Sequence, residues 1–287
     1  MHLRRYDTAA QRAARQVIDT YSTSFSLATR LLRGRVRTDI ANLYAMVRIA
    51  DEMVDGTARE AGDGAAAIRR RLDAYEDQVI AAPTERFHTD PVLHAYAITA
   101  RRCELADAHV HAFFASMRWD IDKQSYSPQH FSDYIYGSAE AIGLMCLQIF
   151  LTGREVSDSE RAEMDRGARR LGAAFQKVNF LRDLGEDSHE LNRTYFPELV
   201  DTPLDGPTKD RLVADIRADL AAAQRAIALL PRDARLGVQA AADIFAALTD
   251  RLDRLSPADV AHPSSRVRVP NAEKTLIAAR AVKKVIR

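Results

Sequence analysis

The sequence predicts an all-α protein, and three observations carry that expectation. Apolar residues recur at helical spacing along most of the 287-residue chain. Segments rich in Ala, Leu and Arg, all good helix formers, follow one another to the end. Alternating β-branched runs bounded by turns, the mark of strands, are almost absent. The breaks are short, at 81–91, 127–130, 201–207 and 256–265, and none has the length of an interdomain linker. The expected architecture is one domain over 1–287, of about ten to twelve helices of ordinary length. Its first ~14 residues are expected to be peripheral or flexible, as chain termini often are.

Taken in order, the N-terminal stretch "MHLRRYDTAAQRAARQVIDTY" lacks the apolar centre of a signal peptide. "DIANLYAMVRIA" puts Ile40, Leu43, Tyr44, Val47 and Ala50 on one helical stripe, with Thr38 or Asp39 as its N-cap and Gly56 as its stop. The apolar run "IGLMCLQIFL", from Ile142 to Leu151, is too short to span a bilayer and contains Gln148. "LVADIRADLAAAQRAIALL" repeats the stripe with Leu212, Ile216, Leu220, Ala223 and Ile227.

Charge is balanced, 41 basic against 40 acidic residues, which argues against a nucleic-acid binder. Cys103 and Cys146 give no disulfide framework and fit a reducing compartment. The expectation is a cytoplasmic protein, with peripheral contact at the inner face of a membrane left open. Arg30, Arg33, Arg35 and Arg37 are the residues that would meet anionic headgroups.

One stretch resists a purely structural reading. In "LYAMVRIADEMVDG" the acids Asp51, Glu52 and Asp55 crowd the last turn of a helix, its negative end, where cations are favoured. Asp51 and Asp55 also lie four apart, a repulsion of roughly 0.2–0.5 kcal/mol. The Asp-x-x-x-Asp spacing occurs five times, so spacing alone decides nothing. Asp73/Asp77, Asp201/Asp205 and Asp215/Asp219 read as a solvated face, a loop and an amphipathic helix with Arg211 and Arg217 nearby. The other two pairs have companions. Tyr44, Arg48, Asp51 and Asp55 form one row at steps of four, three and four; Gln176, Asn179, Asp183 and Asp187 form another at three, four and four. Steps of this size return to one side of a helix. Either Arg48 and Arg182 neutralise these acids in buried ion pairs, or the rows hold a hard divalent cation. Mg²⁺ prefers carboxylate and amide oxygens and completes its shell with substrate phosphates.

The two rows, with "YSTSFSLATRLL" (21–32), "YIYGSAEAIGLM" (134–145) and "NRTYFP" (192–197), resemble the squalene/phytoene synthase family, most closely its bacterial phytoene synthases. The resemblance runs from about residue 15 to 285. It implies a class I isoprenoid synthase helical bundle around a central cavity, which joins two prenyl diphosphates head to head. The expected reaction takes two geranylgeranyl diphosphates to phytoene through a cyclopropylcarbinyl diphosphate, a step of carotenoid biosynthesis. Farnesyl diphosphate, giving squalene or dehydrosqualene, is the alternative; a non-catalytic helical assembly factor is the remote one. A terpene cyclase or head-to-tail enzyme fits less well, since such enzymes usually carry a denser "DDxxD" run than "DEMVD".

Carried over by motif, Asp51, Asp55, Asn179, Asp183 and Asp187 are the implied metal ligands, for Mg²⁺ or its substitute Mn²⁺. Ser24, Phe25, Tyr44, Arg48, Gln176, Arg182, Tyr195 and Arg268 are implied substrate contacts, with Arg266 competing for the place of Arg268. Tyr134 is implied near the reacting carbons. Phe25, Tyr44, Tyr134 and Phe180 are candidates to face a carbocation, since ring faces attract cations by roughly 0.5–2 kcal/mol; each has the alternative of a core aromatic, and for Phe180 that is the preferred reading. NADPH is not expected, because phytoene-forming relatives end by proton loss. The sequence departs from many relatives at Ala139-Glu140, where they carry Ala-Gly. A carboxylate there either intrudes on the hydrocarbon tunnel or turns outward. Oligomeric state is not legible.

Overall fold

The structure, a computed structural model, describes residues 1–122, 125–186, 194–263 and 267–286. It is all-α and 82% helical. Among the described residues twelve helices have eight residues or more. They are α1 (His2–Tyr21), α2 (Thr23–Leu31), α3 (Gly34–Val54), α4 (Ala65–Ala81), α5 (Pro91–Cys103) and α6 (Asp107–Asp122). After these come α7 (Pro128–Ile135), α8 (Ala141–Leu151), α9 (Asp158–Arg182), α10 (Gly206–Leu229), α11 (Arg232–Arg254) and α12 (Asn271–Ile286). A π-helical turn, Tyr136–Glu140, joins α7 to α8.

Several local expectations need correction. The N-terminal residues expected to be peripheral belong to a packed helix. Ala10 and Ala14 are fully buried against Ala45, Val92 and Ala95. Helix α3 starts at Gly34 rather than after Thr38 or Asp39. Asp39 is buried inside it, where Arg102 and Thr99 (2.8 Å) donate to its carboxylate. The far end of α3 is as expected: Val54 is its last residue and Gly56, at φ +136°, breaks it. The apolar run at 142–151 is part of a longer helical stretch, Pro128–Leu151, of 24 residues. That stretch is long and apolar enough to cross a membrane, yet 56% of its most apolar window is buried inside the protein.

The bundle is arranged around a cavity of about 900 Å³, walled by α2, α3, α8, α9, α10 and α11. Glycines set the closest helix crossings. A Cβ on Gly172 of α9 would stand 2.5 Å from the Ala139 carbonyl oxygen, and one on Gly143 of α8 2.5 Å from that of Ala168. Pairing 139 with 172 and 143 with 168 runs α8 antiparallel to α9. The three bland acid pairs are structural, with different partners from those expected. Asp205 caps α10 and Asp73 pairs with Arg118. Asp219 is buried and binds Lys177 (2.7 Å) and Arg170 (2.9 Å) of α9, not its own helix's arginines.

The crossing at Gly172 gives a stability prediction. Gly172→Val drives a branched side chain into the Ala139 carbonyl, and overpacking of this kind costs about 1–3 kcal/mol. Thermal unfolding of the variant should show a clear fall in Tm; an unchanged Tm would mean the crossing has slack.

Candidate active site

Helices α3 and α9 both end at the polar mouth of the cavity. Tyr44, Arg48 and Asp51 line it from the last turns of α3, and Gln176, Asn179 and Arg182 from the last turns of α9. Asp55 is the C-cap of α3, and Asp183 the C-cap of α9, its backbone N–H bonded to the Asn179 carbonyl at 2.9 Å. Each acid pair or row therefore straddles a helix C-terminus. Ser24 and Phe25 of α2 and Arg268 complete the predicted set on the cavity wall. Asp187 and Arg266 lie outside the described residues.

The electrostatics of this mouth are strained. The carboxyl of Asp51 is held well above the usual carboxylate range, first by burial, then by Asp55, with Asp120 and Glu52 adding and Arg48 opposing. Burial pushes the Tyr44 phenol up to about 12, with Arg48 opposing and Asp51 adding. Arg48 donates to Glu52, stands 3.9 Å from Asp51, and lies over the Tyr21 ring at 4.5 Å. Arg182 grips Asp183 with both its Nε (2.8 Å) and a terminal nitrogen. The ion pairs weighed from sequence are thus present, but they leave the carboxyl of Asp51 raised. Among the described residues no three His, Cys, Asp or Glu side chains make a ready-built metal cage. Of the implied ligands Asp51 and Asn179 line the cavity, whereas Asp55 and Asp183, the caps of the two helices, are not among its lining residues; carboxylate and amide oxygens of this kind suit a hard cation that a phosphate ligand would share.

One cation and an aromatic pair were invisible in the sequence rows. Lys274 of α12 lines the mouth, donates to Thr23 at 2.5 Å, and is lowered by burial and by the charges of Arg182 and Arg268. With Arg48, Arg182 and Arg268 it makes a basic rim beside the acids. Below that rim Phe25, Tyr44, Phe175 and Phe245 face the cavity. Phe25 stands 6.3 Å from Tyr44, 5.8 Å from Phe175 and 5.7 Å from Phe245, and Phe175 stacks on Phe245 at 4.0 Å. Deeper still, Ile40, Leu32, Phe150, Met164 and Leu230 make an apolar floor.

The places implied for Tyr134 and Tyr195 are corrected here, while Phe180 and Glu140 each take one of the two readings the sequence left open. Tyr134, Tyr195 and Phe180 do not line the cavity; they are buried beside it, with both tyrosine hydroxyls on the carboxylate of Asp120. Phe175 and Phe245 face the cavity where Tyr134 was expected, and Phe180 is a core aromatic, as its preferred reading has it. Glu140 turns away from the tunnel to Arg169, whose Nε donates to it at 2.6 Å.

The chain is similar to several known proteins. A family model described as squalene/phytoene synthase matches residues 18–200. The phytoene synthase of Cereibacter sphaeroides is 30% identical over 265 residues, covering 84% of this chain and 71% of that protein. The phytoene synthase of Rhodobacter capsulatus is 32% identical over 262 residues, covering 84% and 72%. A ligand-bound crystal structure of a dehydrosqualene synthase superposes with a TM-score of 0.79 at 21% identity, covering 98% of each chain.

The raised carboxyl of Asp51 predicts a pH-dependent stability difference. An acid whose folded pKa exceeds its unfolded value weakens the fold as pH rises from about 4 through the folded value. Asp51→Asn should therefore melt higher than the wild type in metal-free buffer at pH 7, and the gap should close towards pH 4. A variant less stable at both pH values would contradict the strain described.

Proposed function

We propose that this chain, which belongs to the squalene/phytoene synthase family, is a prenyltransferase that condenses two geranylgeranyl diphosphates head to head into phytoene. The observation that carries the reading is the order of lining residues along two helices of one cavity: back from their C-terminal ends, Asp51 and Arg48 then Tyr44 and Ile40 on α3, and Arg182 and Asn179 then Phe175 and Met164 on α9.

Each layer has a task. Arg48, Arg182, Arg268 and Lys274 bind and orient the diphosphates through charge-assisted hydrogen bonds, arginine in a bidentate manner. Asp51, Asp55, Asn179 and Asp183 would hold Mg²⁺, which when bound supplies Lewis-acid stabilisation of the departing diphosphate. Phe25, Tyr44, Phe175 and Phe245 present ring faces to an allylic cation and keep water from it. Tyr44, its phenol pushed up to about 12, stays neutral at physiological pH. The reaction would close by proton loss, which needs no hydride donor.

The run of apolar lining along α9 supports the longer substrate. From Gln176 to Met164 the lining of α9 spans twelve residues, about 18 Å of helix at 1.5 Å per residue. Carbon–carbon bonds of about 1.5 Å advance an extended chain by roughly 1.25 Å each. A geranylgeranyl chain then reaches roughly 19 Å and a farnesyl chain roughly 14 Å.

The test is product analysis. With Mg²⁺ and no NADPH, the purified protein should turn geranylgeranyl diphosphate into a forty-carbon triene. A thirty-carbon product from farnesyl diphosphate alone would assign it to the shorter chain instead. Asp51→Asn and Asp183→Asn should each lower turnover by roughly 10²–10³, the scale seen when a charge-stabilising group is removed. Full activity in either would remove the metal assignment.

A further inference from the structure

The buried carboxylate of Asp120 plays no part in the account above, yet three elements converge on it. Asp120 sits on α6 and is 3% exposed. Tyr134 of α7 donates to its Oδ2 at 2.7 Å, while Tyr126 and Tyr195 donate to its Oδ1, each at 3.3 Å. Burying an anion is costly unless hydrogen bonds compensate it, and an apolar residue of similar size often serves stability as well. What the acid supplies here is a meeting point for three hydroxyls from separate segments.

That geometry leads to the diphosphate end of the cavity. The ring of Tyr195 lies on Phe180 at 3.9 Å and 7°, almost parallel, and Tyr134 stands 5.8 Å from the same ring. Phe180 lies in the last turn of α9, between Asn179 and Arg182 of the mouth. The segments carrying Tyr126 and Tyr195 are themselves joined by the Ser125–Thr194 bridge. On the other side, the charge of Asp120 reaches Asp51 of α3. Asp120 thus stands behind both helix ends, touching neither the cavity nor what binds in it.

We propose that Asp120 is a positioning residue: by gathering the hydroxyls of Tyr126, Tyr134 and Tyr195, it seats the aromatic stack that fixes the last turn of α9 in diphosphate-binding geometry. The inference rests on the functional reading above, in that it takes this turn to hold a magnesium-bound diphosphate. It acts through Tyr195 and Phe180 rather than by contact with the ligand.

Calorimetric titration of the full chain with inorganic diphosphate in Mg²⁺ tests it without relying on turnover. Asp120→Asn should bind about tenfold more weakly than the wild type, and Tyr195→Phe about threefold. The double variant should bind no more weakly than Asp120→Asn alone, because both changes cut one chain of contacts. Asp122→Asn, on the same helix but exposed and paired with Arg69, should bind like the wild type. Wild-type affinity in Asp120→Asn, additive losses in the double variant, or an equal loss in Asp122→Asn would each overturn the proposal. Should Asp120→Asn fail to fold, Tyr195→Phe, which loses one hydroxyl, decides alone: unchanged affinity overturns it. A wild type that binds no magnesium diphosphate would instead overturn the functional reading beneath it.

Discussion

Negative charge gathered at the C-termini of α3 and α9 is the constraint on which the rest of this structure depends. A helix C-terminus already carries partial negative charge, and acids placed there are unfavourable by fractions of a kcal/mol to about 1 kcal/mol each. Here Asp51 and Asp55 end one helix and Asp183 caps the other, and the last turns of both helices line one cavity. Arg48 and Arg182 relieve part of this, yet the Asp51 carboxyl remains raised. The magnesium proposed above would offset the charge that remains.

The remainder of the bundle serves that mouth. Glycines at 143 and 172 let α8 and α9 approach until backbone carbonyls meet Cα positions, which makes a smooth tunnel wall of small residues. Phe25, Phe175 and Phe245 interlock just under the rim, where a cation formed by loss of diphosphate would sit. The apolar residues beyond them come from α3, α8, α9 and the ends of α2 and α10, so no single helix sets that end of the cavity. Behind the wall, the tyrosines around Asp120 brace the charged helix end from outside the cavity.

Much of the site was legible because helical periodicity converts spacing into shared faces. Tyr44, Arg48 and Asp51 lie in one row and do line one wall, and Gln176, Asn179 and Arg182 line the facing one. The same logic failed at the row ends: Asp55 and Asp183 are caps, where periodicity no longer holds. It also failed for Tyr134 and Tyr195, since an aromatic residue in an apolar stretch reads alike whether it faces a ligand or a buried carboxylate. Lys274 gave no signal, because one cation on an amphipathic helix looks like surface charge until α12 is docked over Thr23.

By itself the sequence determined the helices, their stops and the two acidic rows, since these follow from contacts a few residues apart. Gly56 ends α3 because φ of +136° suits glycine and hardly any other residue. Tertiary structure alone decided which way side chains of equal local standing turned. Glu140 faces Arg169 rather than the tunnel, Asp219 finds Lys177 on a neighbouring helix, and Asp120 collects hydroxyls from residues 6, 14 and 75 positions away. Those partners come together only when helices pack, and no local periodicity encodes an encounter between segments so far apart.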